Sequence, residues 1–107
     1  MTLREAPATV TIVAADAVDK LAALATISRV VGAPVIGAGT AAPKIPLADG
    51  VWVQIEIPKF GEPPPLAIDV HASAGAAVAR EHAEKLLALL HDHTPWDLVR
   101  AYPVEAA

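Results

Sequence analysis

Val51-Trp52-Val53-Gln54-Ile55-Glu56-Ile57 and, after a proline-rich break, Leu66-Ala67-Ile68-Asp69-Val70-His71 are the two runs whose reading decides the fold. In the first, the odd positions are all β-branched and apolar while the even ones are Trp, Gln and Glu, the period-2 pattern of a strand with one buried face. The second run repeats the alternation. Between them, Pro58-Lys59-Phe60-Gly61-Glu62-Pro63-Pro64-Pro65 removes ladder donors and forbids helix, so the chain must leave the sheet there. A hairpin that pairs Ile57 with Leu66 sets Ile55 opposite Ile68 and Val53 opposite Val70, with every apolar side chain on one face. A slip of one residue would scatter that face. The same register predicts Trp52 beside His71, Gln54 beside Asp69 and Glu56 beside Ala67 on the other face, opposed side chains standing about 5 Å apart.

At 107 residues the chain has room for one core, and a single domain over 1–107 is expected. A 54% hydrophobic content excludes a disordered chain, and with only 4% aromatic residues the core must be built of small aliphatic groups. Zero cysteines exclude a disulfide framework, a thiolate zinc site and a Cys nucleophile. A net charge of −4, with eight Lys and Arg scattered singly, argues against nucleic acid as a partner. Met1-Thr2-Leu3-Arg4-Glu5-Ala6-Pro7 lacks the basic start and apolar run of a secretory signal, and no stretch approaches 18 apolar residues without Pro, Gly or charge. The expectation is a soluble cytoplasmic protein of bacterial type, with no membrane contact.

Outward from the hairpin, Thr9-Val10-Thr11-Ile12-Val13-Ala14 reads as an interior strand because both of its faces are largely apolar. A helix follows, with Asp16 as N-cap, Asp19 in its first turn and Gly32 as its stop. At about 100° per residue, Ala17, Leu21, Leu24, Ser28 and Val31 share the face expected to cover the sheet, with Ala25 and Ile27 on its margins. Residues 33–50 read as a long loop with one edge strand at Val35-Ile36, a length that points to a functional segment or a subunit contact. Gly37-Ala38-Gly39 lacks the third glycine and the helix that a dinucleotide turn needs, so no cofactor is expected. Past the hairpin, Ser73 is placed as the cap of a second helix from Ala74 to about Asp92. Its apolar face carries Val78, Ala79, Ala83, Leu86, Leu87, Leu89 and Leu90. Thr94-Pro95-Trp96-Asp97 carries helix-start signals, so 95–102 reads as a short helix, with a strand at 98–102 as the alternative. Residues 1–7 and 103–107 are expected to fray.

The fold class is therefore α+β: a two-layer sandwich of a mainly antiparallel sheet of three or four strands with two helices on one face. A crossover through the first helix would lay the first strand parallel to one hairpin strand. With a terminal strand the element order would be that of the ferredoxin-like plait.

Two layers leave the second face of the sheet uncovered, and that face would carry Trp52, Gln54, Glu56, Asp69 and His71. A tryptophan there points to cover by a second copy of the chain, a homodimer or another protein partner, because burying an aromatic contributes a couple of kcal/mol at about 25 cal/mol per Å². The plainer reading is a solvated face on which Trp52 packs beside His71 or under the 33–50 segment. Glu56, Asp69 and His71 are also the candidates for a metal or acid/base site, two carboxylates and an imidazole on one side of a hairpin. Asp69, His71 and Ser73 are no nucleophilic triad, since same-face neighbours along a strand stand about 6.6–7 Å apart and parallel. His82 falls on the apolar stripe of the second helix, as a buried histidine or as a ligand or contact residue whose charge changes near neutral pH. His91 and His93, two residues apart on a helix, do not face each other. The composite expectation is a small non-catalytic binding or self-association module. The alternatives are a small enzyme or metal-binding protein using the hairpin carboxylates and histidine, and an inhibitor or immunity-type protein with an acidic surface.

Overall fold

In a computed structural model the described residues are 7–14, 20–40, 42–56 and 66–102. The Asp16 and Asp19 cap, the Ile57–Leu66 pair and, apart from Pro7, the ends expected to fray lie outside them. The elements are β1 (Ala8–Ala14), α1 (Lys20–Val31), β2 (Ile45–Ala48), β3 (Val51–Glu56), β4 (Leu66–Ala72), α2 (Ala76–His93) and β5 (Leu98–Arg100). They build one sheet in the order β2-β3-β4-β1-β5, every neighbouring pair antiparallel.

The hairpin register is the one the alternation predicts: Ile55 opposite Ile68, Val53 opposite Val70, Trp52 opposite His71, Gln54 opposite Asp69 and Glu56 opposite Ala67. Val51, Val53, Ile55, Leu66, Ile68 and Val70 are buried beneath the helices, joined from β1 by Val10, Ile12 and Ala14. Helix α1 packs on β2 and β3, α2 on β1 and β4, and the two helices touch. The result is the two-layer α+β sandwich, with five strands where three or four were expected. Among the described residues no helix is long and apolar enough to cross a membrane.

Both additional strands have identifiable causes. Segment 33–50 is not a loop throughout, because its last third forms β2. Asp49-Gly50 closes a two-residue connection between Ala48 and Val51, with Gly50 at φ +71°, and an Asp-Gly pair between apolar runs is a hairpin signal. Val35-Ile36 makes no strand; a single bridge joins Ile36 to Lys44, their amides and carbonyls exchanged at 2.7 and 2.9 Å. Gly37-Ala38-Gly39 forms the turn between them. The helix expected at 95–102 is replaced by β5. The Thr94 hydroxyl accepts the Trp96 amide at 3.3 Å, as an N-cap would, but Thr94 is extended and its own amide and hydroxyl close α2 on the Leu90 carbonyl. Such local threonine bonds serve turns as readily as helix starts. The outer edge of β1 then captures Leu98–Arg100, since buried ladder groups need partners.

With β5 a strand and β2 set aside, the element order is β-α-β-β-α-β, and β3-β4-β1-β5 is the strand order of the ferredoxin-like plait. Strand β1 runs parallel to β3 as the crossover argument requires, but β4 lies between them, so the ladder β1 joins is antiparallel.

Two helix details differ from the periodicity. Helix α1 seats Ala23, Leu24 and Ile27 and leaves Leu21 at 72% exposure. At about 100° per residue, a helix that turns Ala23, Leu24 and Ile27 to the core carries Leu21 round toward solvent. Helix α2 starts after Gly75 with no side-chain cap, and Ser73 instead sits in the preceding turn with its amide on the Gly50 carbonyl. Ala79, Ala83, Leu86 and Leu90 form its buried stripe, while Leu89 stays partly exposed.

Candidate functional site

The uncovered face of the sheet is built from outward positions of β1, β3, β4 and β5. Its centre is β4, which contributes Ala67, Asp69 and His71. Strand β3 adds Trp52 and Gln54, β1 adds Thr9, Thr11 and Val13, and β5 adds Val99, half-exposed beside Val13.

Across β3 and β4 runs a stack. The Trp52 and His71 rings lie 5.4 Å apart between centroids, their planes 23° from parallel. Lys44 brings its Nζ to 5.3 Å from the Trp52 centroid. The indole thus carries both a stacked imidazole and a cation near its ring, two contacts favourable for its π cloud. The indole Nε1 donates to Gln54 Oε1 at 3.4 Å. His71 Nδ1 and the Thr9 hydroxyl share a hydrogen bond of 2.7 Å, and the Thr11 hydroxyl donates to Asp69 Oδ1 at 2.6 Å. The face is thus a self-satisfied polar layer around one aromatic group, partly buried rather than solvated all round.

Of the predicted residues, the structure brings Trp52, Gln54, Asp69 and His71 together. Glu56 is placed by its backbone pairing with Ala67, and its side chain lies outside the described residues. Asp69 and His71 are bonded to threonines of β1, not to each other, so no proton relay joins them. Among the described residues no group of three or more His, Asp or Glu is arranged around a common metal position. His82 is partly buried at a seam with Val30, Val31 and Leu47, away from the open face. His91 and His93 are exposed on α2, which continues through both.

Sequence reasoning missed Lys44, Thr9 and Thr11. Lys44 stood in the segment read as loop, and the threonine partners depend on the β1–β4 register, for which no local signal exists. The alternation of Thr9 and Thr11 with Val10 and Ile12 was the available hint. A second polar cluster was also missed, on the helix side. Arg100 forks onto Glu84 of α2, Nε to Oε2 at 2.6 Å and Nη2 to Oε1 at 2.7 Å, and the Tyr102 hydroxyl donates to Glu84 Oε2. The Arg100 and Tyr102 hydrogen bonds pull the Glu84 carboxyl down to about 2. Burial and the neighbouring carboxylate push the Tyr102 hydroxyl up to about 12. A strand over Leu98–Tyr102 places Leu98, Arg100 and Tyr102 on one face, which is the signal that reading it as helix obscured. This cluster fastens β5 to α2 and leaves its polar atoms committed.

A concavity of about 330 Å³ lies between α1 and segment 35–43, with Leu21, Leu24, Val35 and Pro43 in its apolar wall and Lys20 at its rim. It has no arrangement of reactive groups comparable to the open face. No protein-family model, no curated protein and no solved structure matches this chain.

Proposed function

We propose that this protein is a non-catalytic cytoplasmic module that works by self-association, pairing with a second copy through the open face of its sheet. The observation that carries the reading is that the face's side chains are already paired among themselves around Trp52. Covering an unsatisfied polar layer would cost the desolvation of every group. Covering one whose polar atoms hold internal partners costs far less and still gains the burial of Trp52, Val13 and Val99.

The edges favour the same surface. Strand β2 has four residues, with Pro46 and a bulge, and β5 has three. Short, interrupted edges discourage pairing edge to edge. Five strands about 4.8 Å apart, rising about 3.3 Å per residue, give a flat area on the order of 400 Å² per copy. Side-chain relief enlarges it, so a face-to-face pair approaches the roughly 1,000 Å² at which specific interfaces begin. Sedimentation equilibrium tests the proposal: the wild type is expected to be a dimer, Trp52→Ala to dissociate at higher concentration, and Leu21→Ala, on the opposite side, to match wild type. A wild type that stays monomeric at the highest soluble concentration overturns it.

A further inference from the structure

Building on that dimer, we infer that the two copies pack with their central strands antiparallel, His71 of each copy hydrogen-bonded to Asp69 of the other. Strand β4 is the middle strand of five, so a two-fold axis through the middle of the face brings two β4 strands against each other. An isologous interface requires that whatever residue i meets, its symmetry mate meets in return. An axis lying in the interface, across the strands at the level of Val70, satisfies this with opposite chemistry: each imidazole meets a carboxylate.

Shifting that axis by one residue along β4, to the level of Asp69, would set the two Asp69 carboxylates against each other in a water-poor layer, the costly alternative. The internal bonds leave the required atoms available. Thr11 occupies Oδ1 of Asp69 and Thr9 occupies Nδ1 of His71. Oδ2 and Nε2, the other polar atoms of the same two side chains, are the acceptor and donor for the cross-pair. The same axis sets Trp52 of one copy against the partner's Gln54 and Thr9 against the partner's Thr11, same-face neighbours two residues apart along each strand. No like charges meet.

A charge exchange tests the pairing separately from the dimer. In Asp69→His two imidazoles meet, in His71→Asp two carboxylates meet, and in the double variant opposite groups meet again. Each single variant should dissociate with a Kd raised roughly 30-fold or more, since each interface loses the pair twice. The double variant should recover to within a few-fold of wild type. Circular dichroism checks that each is folded, and recovery in the double variant is itself a result that unfolding cannot mimic. A wild-type dimer whose Kd neither single variant changes, or a double variant no tighter than the weaker single one, overturns the pairing while leaving the dimer. A monomeric wild type overturns both.

Discussion

The two faces of the sheet are made from alternate residues of the same strands, yet they obey different rules. On the helix side, Ile12, Val53, Ile68 and Val70 are fully buried and the residues are almost interchangeable aliphatics. Their identity matters through volume and shape, because interiors are close-packed. On the open side, Trp52, Gln54, Asp69, His71, Thr9 and Thr11 each have a named partner, and identity matters through geometry. The first face makes the fold stable, and the second is the surface through which we propose that two copies pair.

The contrast is sharp across the β3–β4 ladder, where Gln54 pairs with Asp69 and Ile68 with Ile55. Ile68→Ala should lower the unfolding free energy by about 2–5 kcal/mol, the range for deleting a buried aliphatic side chain. Gln54→Ala, on the open face, should cost less than about 1 kcal/mol, since only a long hydrogen bond is lost. Chemical denaturation of the two variants measures both, and equal losses would erase the distinction between the faces.

A smaller effect is expected where the faces are joined. Gly50, at φ +71°, turns β2 back onto β3, and a Cβ there would stand 3.3 Å from the Ser73 hydroxyl. Gly50→Ala should destabilise by about 1–2 kcal/mol, the cost of a left-handed non-glycine residue. Its Trp52 emission should also change if β2 no longer holds Lys44 against the indole. Emission unchanged in a destabilised variant would show that the turn does not position Lys44.

The smallest effect belongs to the Glu84 cluster. The Glu84 carboxyl lies lower in the folded protein than its ordinary 4.5, at about 2, so its contribution is present above pH 4.5 and is lost as pH falls through 4.5 towards 2. The Tyr102 hydroxyl is raised from 10 to about 12, so its contribution is lost as pH rises from 10 towards 12. Exposure to solvent screens the Arg100 pair and keeps both effects modest. Glu84→Gln should flatten the acid limb of the melting temperature against pH relative to wild type. An unchanged limb would mean that the pair contributes nothing to holding β5.

Legibility followed the length of the pattern. Val51–Glu56 and Leu66–His71 each alternate over six positions, enough to set register without any tertiary information, and with register came Trp52 beside His71 and Gln54 beside Asp69. Strands β2 and β5, of four and three residues, are too short for alternation to be distinguished from loop or helix turn. For β5 the local signals pointed to a helix, because Thr94 makes the hydrogen bond of a helix start inside a turn. On α1 the wheel was right in kind and wrong in phase by about one residue, since Leu21 and Leu24 score alike until a sheet is there to choose between them.

By itself the amino-acid sequence determined the hairpin, its register, the α+β class and which residues share the hairpin's polar face, because alternation and periodicity are local and repeat over many positions. Only the tertiary structure decided that β1 lies against β4, that β5 closes the far edge, and that Lys44, Thr9 and Thr11 complete the open face. Those contacts join residues as far as 62 positions apart, and no local pattern encodes which of several possible edges a short strand will meet.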